Sequence, residues 1–128
     1  MPKSVFVSHV YEDMAARNNL ITWAQRGLLG PDVVITGESE DVRQHGQRAI
    51  QSHLSPKLQG AAAVIVLVGN DTHNHRWIEY EAQHALSNRK LVIPVRIPGT
   101  TGAAPPVIAR LPMVTMDPTA IAQALRLG

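Results

Sequence analysis

The chain has 128 residues, 45% of them hydrophobic and 17% charged, a balance that supports a buried core and that disordered chains lack. Twelve basic residues against ten acidic ones leave a net charge of +2, and Arg43, Arg48 and Lys57 form no run, so the clustered footprint of a nucleic-acid binder is missing. The absence of cysteine excludes disulfides, thiol catalysis and thiolate metal sites.

The longest apolar run, Ala61 to Val68, is far short of the roughly 20 residues of a membrane-spanning helix. The first ten residues carry no basic stretch followed by an apolar one, so no secretory signal is read there. The expectation is a cytoplasmic protein with no membrane partner.

In chain order, Ser4-Val-Phe-Val-Ser8 predicts a first strand. A helix is expected from Asp13 to Leu28, with Ala16, Leu20, Trp23 and Ala24 on its apolar face and Gly27, Gly30 and Pro31 ending it. Asp32 to Thr36 reads as a second strand and Gly37 to Gln44 as a polar, acidic loop. A helix follows from about Val42 to Leu58, which Pro56 should cut short. Ala61 to Val68, apolar at every position, is expected to be a central parallel strand covered on both faces.

Gly69 to Asn74 is a turn-rich loop, and His75 to Asn88 a helix whose apolar face is Ile78, Ala82, Ala85 and Leu86. Leu91 to Arg96 is a fourth strand, Pro98 to Pro106 a loop, Leu111 to Met116 a short edge strand, and Pro118 to Leu127 a last helix with proline in its first turn. No repeat or low-complexity linker interrupts the chain, so residues 1–128 are read as one domain. Alternating strands and helices predict a single flavodoxin-like α/β domain: a parallel sheet of about five strands in the order 2-1-3-4-5, with helices on both faces. Ligands of such sheets bind beyond the carboxyl ends of the strands. The segments there are Ser8 to Asp13, Thr36 to Asp41, Gly69 to Arg76 and Arg96 to Pro98.

Several chemistries lack their residues. A phosphorelay receiver needs an acidic pair after the first strand, an acceptor aspartate ending the third and a lysine ending the fifth, and none of these is present. Neither G-x-G-x-x-G nor G-x-x-x-x-G-K-[ST] occurs, nor a G-x-S-x-G elbow. His73 and His75 lie near Asp71, but no third ligand stands at a recognisable spacing. A solvated loop and no metal site are expected.

The helix segment Arg76-Trp-Ile-Glu-Tyr-Glu81 carries two acids. Trp77 and Glu81 are four residues apart, hence neighbours on one helix face. Glu79 and Glu81 fall on opposite borders of the apolar face, so periodicity does not choose between them. Stacking of Glu81 with Trp77, a planar wall beside an acid, favours Glu81.

Three pieces together, Val5-Phe-Val-Ser-His9 followed by Tyr11-Glu-Asp13, Gly69-Asn-Asp-Thr72, and Arg76-Trp-Ile-Glu-Tyr-Glu81, resemble Toll/interleukin-1 receptor (TIR) domains, above all the bacterial TIR-like proteins of Thoeris anti-phage defence. The resemblance runs from roughly Ser4 to Val95 and leaves the Pro-rich segment unmatched. It implies an enzyme that cleaves NAD, with Glu81 as the catalytic glutamate and Trp77 as the stacking wall. It also implies that Ser8, His9 and Tyr11 to Asp13 line the pocket and that the loop Thr36 to Asp41, including Thr36 and Ser39, covers it. NAD is then the substrate and no cofactor is needed. The implied partners are further copies of the chain, in a homo-oligomer, and a separate effector protein reached by a cyclic or modified ADP-ribose signal. Two features stand apart from this reading. Gly37 to Asp41 is unusually acidic for a loop near a pyrophosphate, and other TIR domains are non-catalytic interaction modules.

Overall fold

The computed structural model describes residues 3–10, 13–36, 58 and 60–127, except the side chains of Trp77 and Leu127. Strands β1 (Lys3–Ser8), β2 (Val33–Thr36), β3 (Ala63–Val68), β4 (Leu91–Arg96) and β5 (Val114–Thr115) form one parallel sheet in the order β2-β1-β3-β4-β5. Helices α1 (Met14–Gln25), α2 (Arg76–Ser87) and α3 (Pro118–Leu127) pack on it, with 3₁₀ turns at Thr72–Asn74 and Pro106–Ile108. The strand order is the flavodoxin-like one expected, and its direction reverses between β1 and β3.

Side chains of successive strand residues point to opposite faces, and the core divides accordingly. On one face Val5, Val7, Ala63, Ile65, Leu67, Ile93 and Val95 meet Ala16 and Leu20 of α1 and Ile121 and Leu125 of α3. On the other, Phe6, Val64, Val66, Val68 and Val92 meet Ile78, Ala82 and Ala85 of α2. Both faces of β3 are therefore covered, which is why every residue of that strand is apolar and buried.

Local chemistry sets the boundaries. α1 ends at Gln25, earlier than Leu28, because Gly27 takes the left-handed conformation (φ 74°). The Leu28 N–H then donates to Trp23 O at 2.9 Å and the Gly27 N–H to Ala24 O at 3.0 Å, a Schellman ending. Pro94 sits inside β4, where a missing N–H would ordinarily break a ladder. The Ile97 N–H points to Val68 O on β3, and alternate residues point the same way. The nitrogen of Pro94 thus faces β5, which pairs only with Val95 and Arg96, so no sheet bond is lost.

The edge strand is shorter than expected, just Val114–Thr115. The Pro-rich loop is not wholly irregular: its 3₁₀ turn drops Ile108, fully buried, into the α2-side core. The expected helix from Val42 to Leu58 lies outside the described residues, apart from Leu58, which is helical and buried. No described helix is long and apolar enough to cross a membrane.

Candidate active site

The carboxyl end of β1 meets the inner face of α2. Phe6 and Val10 belong to the α2-side core, so the alternation of the strand sends Ser8 to the same side. On α2, Glu81 sits three residues after Ile78 and four before Ala85, both fully buried. Ser8 and Glu81 are exposed by only 0% and 2%, and the Ser8 hydroxyl donates to Glu81 Oε1 at 2.6 Å.

The geometry separates the two acids that spacing left equal. Leu86 is only partly buried, whereas Ile78, Ala82 and Ala85 are fully so. At 100° per residue the centre of the core face therefore moves away from Leu86. Glu81 then lies about 65° from that centre and Glu79 about 95°. Glu79 is correspondingly half-exposed.

Around this pair, three segments interlock at the carboxyl ends of the strands. His9 is buried directly after Ser8. Asp13 stands at the N-cap position of α1, its N–H bonded to Val10 O at 3.0 Å, and its carboxylate lies against Gly69, where a Cβ would come within 2.5 Å of Oδ2. The turn after β3 is held from within by buried Thr72. Its Oγ1 accepts the Gly69 N–H at 2.8 Å and donates to Leu67 O at 3.1 Å.

From the far side, the loop after β4 closes on the same turn. The Thr101 N–H donates to Asn70 Oδ1 at 2.9 Å, and a Cβ on Gly102 would come within 2.3 Å of Gly69 O and 2.5 Å of Asn70 O. In the sequence Thr72 stands out only as the end of the Gly69-Asn-Asp-Thr72 piece, with no role of its own, and Gly102 does not stand out at all. A threonine four residues past a strand end was the available signal for the first.

The remaining expected site residues divide. Thr36 ends β2 beside Phe6, its hydroxyl 3.5 Å from Val5 O. Trp77 lies in the first turn of α2, four residues before Glu81, but its side chain is outside the described residues. Tyr11, Glu12, Ser39 and the rest of the covering loop to Asp41 are outside them as well.

The histidine loop is held by Asp71. Its Oδ1 accepts the Asn74 side-chain amide at 2.6 Å, and its Oδ2 lies 2.9 Å from His75 Nε2. These bonds, from Asn74 first and His75 second, hold the Asp71 carboxyl below its ordinary value of 3.8. Among the described residues no three side chains are grouped to hold a metal.

A carboxyl lowered in the folded state contributes stability above the ordinary carboxylate value, and that contribution disappears as pH falls through the lowered one. In a carboxyl NMR titration, Asp71 is expected to have its midpoint below that of an aspartate without such bonds. Asn74→Ala should bring the midpoint back up, and an unmoved midpoint would show that the amide is not the cause.

A parallel sheet in this order is a flavodoxin-like α/β fold, the fold that TIR domains have. The TIR domain of the Toll-related receptor TRR-2 from Hydra magnipapillata has this fold, with a TM-score of 0.59 and 14% identity over 87% of this chain and 82% of that one. Residues 6–102 match the family model for the Thoeris protein ThsB, TIR-like domain, and the chain belongs to that family. The match reaches beyond Val95 into the Pro-rich segment and includes Gly102, the residue that closes on the β3 turn. A Bacillus cereus (strain MSX-D12) protein named "Putative cyclic ADP-D-ribose synthase ThsB1" is 26% identical over 103 residues, 76% of this chain. The chain spans about half the length of that curated relative, 53%.

Proposed function

We propose that this domain cleaves NAD at the bond between nicotinamide and ribose and makes a cyclic or otherwise modified ADP-ribose signal in anti-phage defence. The observation that carries the reading is the buried Glu81 carboxylate, bonded to Ser8 where ligands of this fold class bind. When the bond from ribose C1′ to the nicotinamide nitrogen breaks, its electron pair leaves with nicotinamide, which departs neutral. Positive charge is left on the ribose, as in glycoside hydrolysis. A fixed carboxylate stabilises that charge without having to reorganise during the reaction.

In this reading Trp77 stacks on the cationic nicotinamide ring before cleavage, and Ser8, His9, Asp13, Thr36 and Ser39 line or cover the substrate. No metal and no covalent nucleophile are required, and NAD is the substrate rather than a resident cofactor. The name of the Bacillus cereus relative supports the cyclic product, and family membership supports the Thoeris setting. Assembly of several copies, and a separate effector answering the signal, belong to the same proposal.

The test is incubation of the purified protein with NAD, following free nicotinamide and the mass of the other product. Release is expected, with a product lighter than ADP-ribose by one water if a ring closes and equal to ADP-ribose if water attacks. No release, either in buffer or in lysate from phage-infected cells, would contradict the proposal and favour a non-catalytic interaction module.

A further inference from the structure

We propose that Ser8 is the positioning residue of the site: its hydroxyl, carried on the central strand β1, holds the Glu81 carboxylate in one orientation for the reaction. The inference rests on the NAD-cleaving reading and refines what Ser8 does within it, from lining the substrate to fixing the acid.

The placement of Ser8 is costly unless it does this. It occupies a core position on the α2 side, between Phe6 and Val10 in the alternation, both of them buried and apolar. A buried hydroxyl without a partner is penalised, and a buried carboxylate far more so. The 2.6 Å bond satisfies the Ser8 hydroxyl and one oxygen of the Glu81 carboxylate, across 73 residues of sequence.

The donor is also stiff. β1 is paired on both sides, to β2 and to β3, and Ser8 itself lies opposite Val66. α2 in turn is pinned by Ile78, Ala82 and Ala85, all fully buried. A carboxylate held between two rigid elements has little rotamer freedom, which is the preorganisation that electrostatic catalysis needs. The other titratable groups on the described parts of these elements are Lys3 at the start of β1, His9 and Asp13 after its end, and Arg76, Glu79, Tyr80 and His84 on the carboxylate's own helix.

Ser8→Ala removes the hydroxyl without adding volume, and Ser8→Thr keeps it. Nicotinamide release from NAD by Ser8→Ala is expected to show kcat lower by about 10- to 100-fold with KM within about twofold, and Ser8→Thr to recover most of the rate. A merely structural serine would change the melting temperature alone. Loss of the hydroxyl bond should in addition move the Glu81 carboxyl midpoint upward in a carbon-13 titration.

Wild-type kcat in Ser8→Ala, or an unmoved Glu81 midpoint, would overturn the proposal. If wild type itself releases no nicotinamide, the NAD reading fails. The titration then decides the remainder: an upward shift supports Ser8 as the holder of the carboxylate, and no shift overturns it.

Discussion

Glu81→Gln is expected to lower nicotinamide release by about 10³-fold or more while leaving the domain folded. The amide is nearly the same size as the carboxylate and still offers an oxygen to the Ser8 hydroxyl, so the buried bond between α2 and β1 is kept. What disappears is the negative charge beside the ribose, and with it the interaction that grows as the glycosidic bond breaks. Initial rates beside thermal melts separate the two effects. Glu79→Gln is the matched control, because Glu79 is half-exposed and outside the buried face of the helix. Its rate should stay within about twofold of wild type. Equal losses in both variants would mean that the helix, rather than Glu81, is what matters.

Gly102→Ala is expected to destabilise the domain by about 2–3 kcal/mol, since inserted methyl groups cost this much where the surroundings cannot yield. Here the obstacles are the Gly69 and Asn70 carbonyl groups, at 2.3 and 2.5 Å from the new Cβ, and both are backbone. The strain must go either into the loop after β4 or into the turn after β3. That turn is already fastened by Thr72 and lies against Asp13, so the loop is expected to lift, breaking the Thr101 bond to Asn70. Thermal melting should fall by roughly 5–15 °C for a chain of this size. An unchanged melting temperature would show that the two loops are not in the close contact described.

Much of this fold could be read in the residues because the pattern was strong where the sheet is most buried. An all-apolar run at Ala63–Val68 admits few places other than the centre of a parallel sheet, and four of the five strands have the length of ordinary strands. β5 was overestimated because Leu111 to Met116 has strand-like residues, while only Val114 and Thr115 reach β4 to pair with it.

Glu81 illustrates a different limit. Spacing placed two acids symmetrically about an apolar face, and the tie breaks only once Leu86 is seen to sit at the rim of the core. The Ser8 hydroxyl could be placed at a strand end from sequence, but its partner lies 73 residues away and depends on how β1 and α2 are set together. Gly102 was unreadable for the same reason: its requirement is for space beside another loop, with no signal in its own neighbours.

The measurement that bears most directly on the central claim is nicotinamide release from NAD by wild type, Glu81→Gln and Glu79→Gln at matched folded concentration, in buffer and in lysate from phage-infected cells. The account predicts release by wild type and Glu79→Gln and essentially none by Glu81→Gln. Release that survives in Glu81→Gln would contradict it.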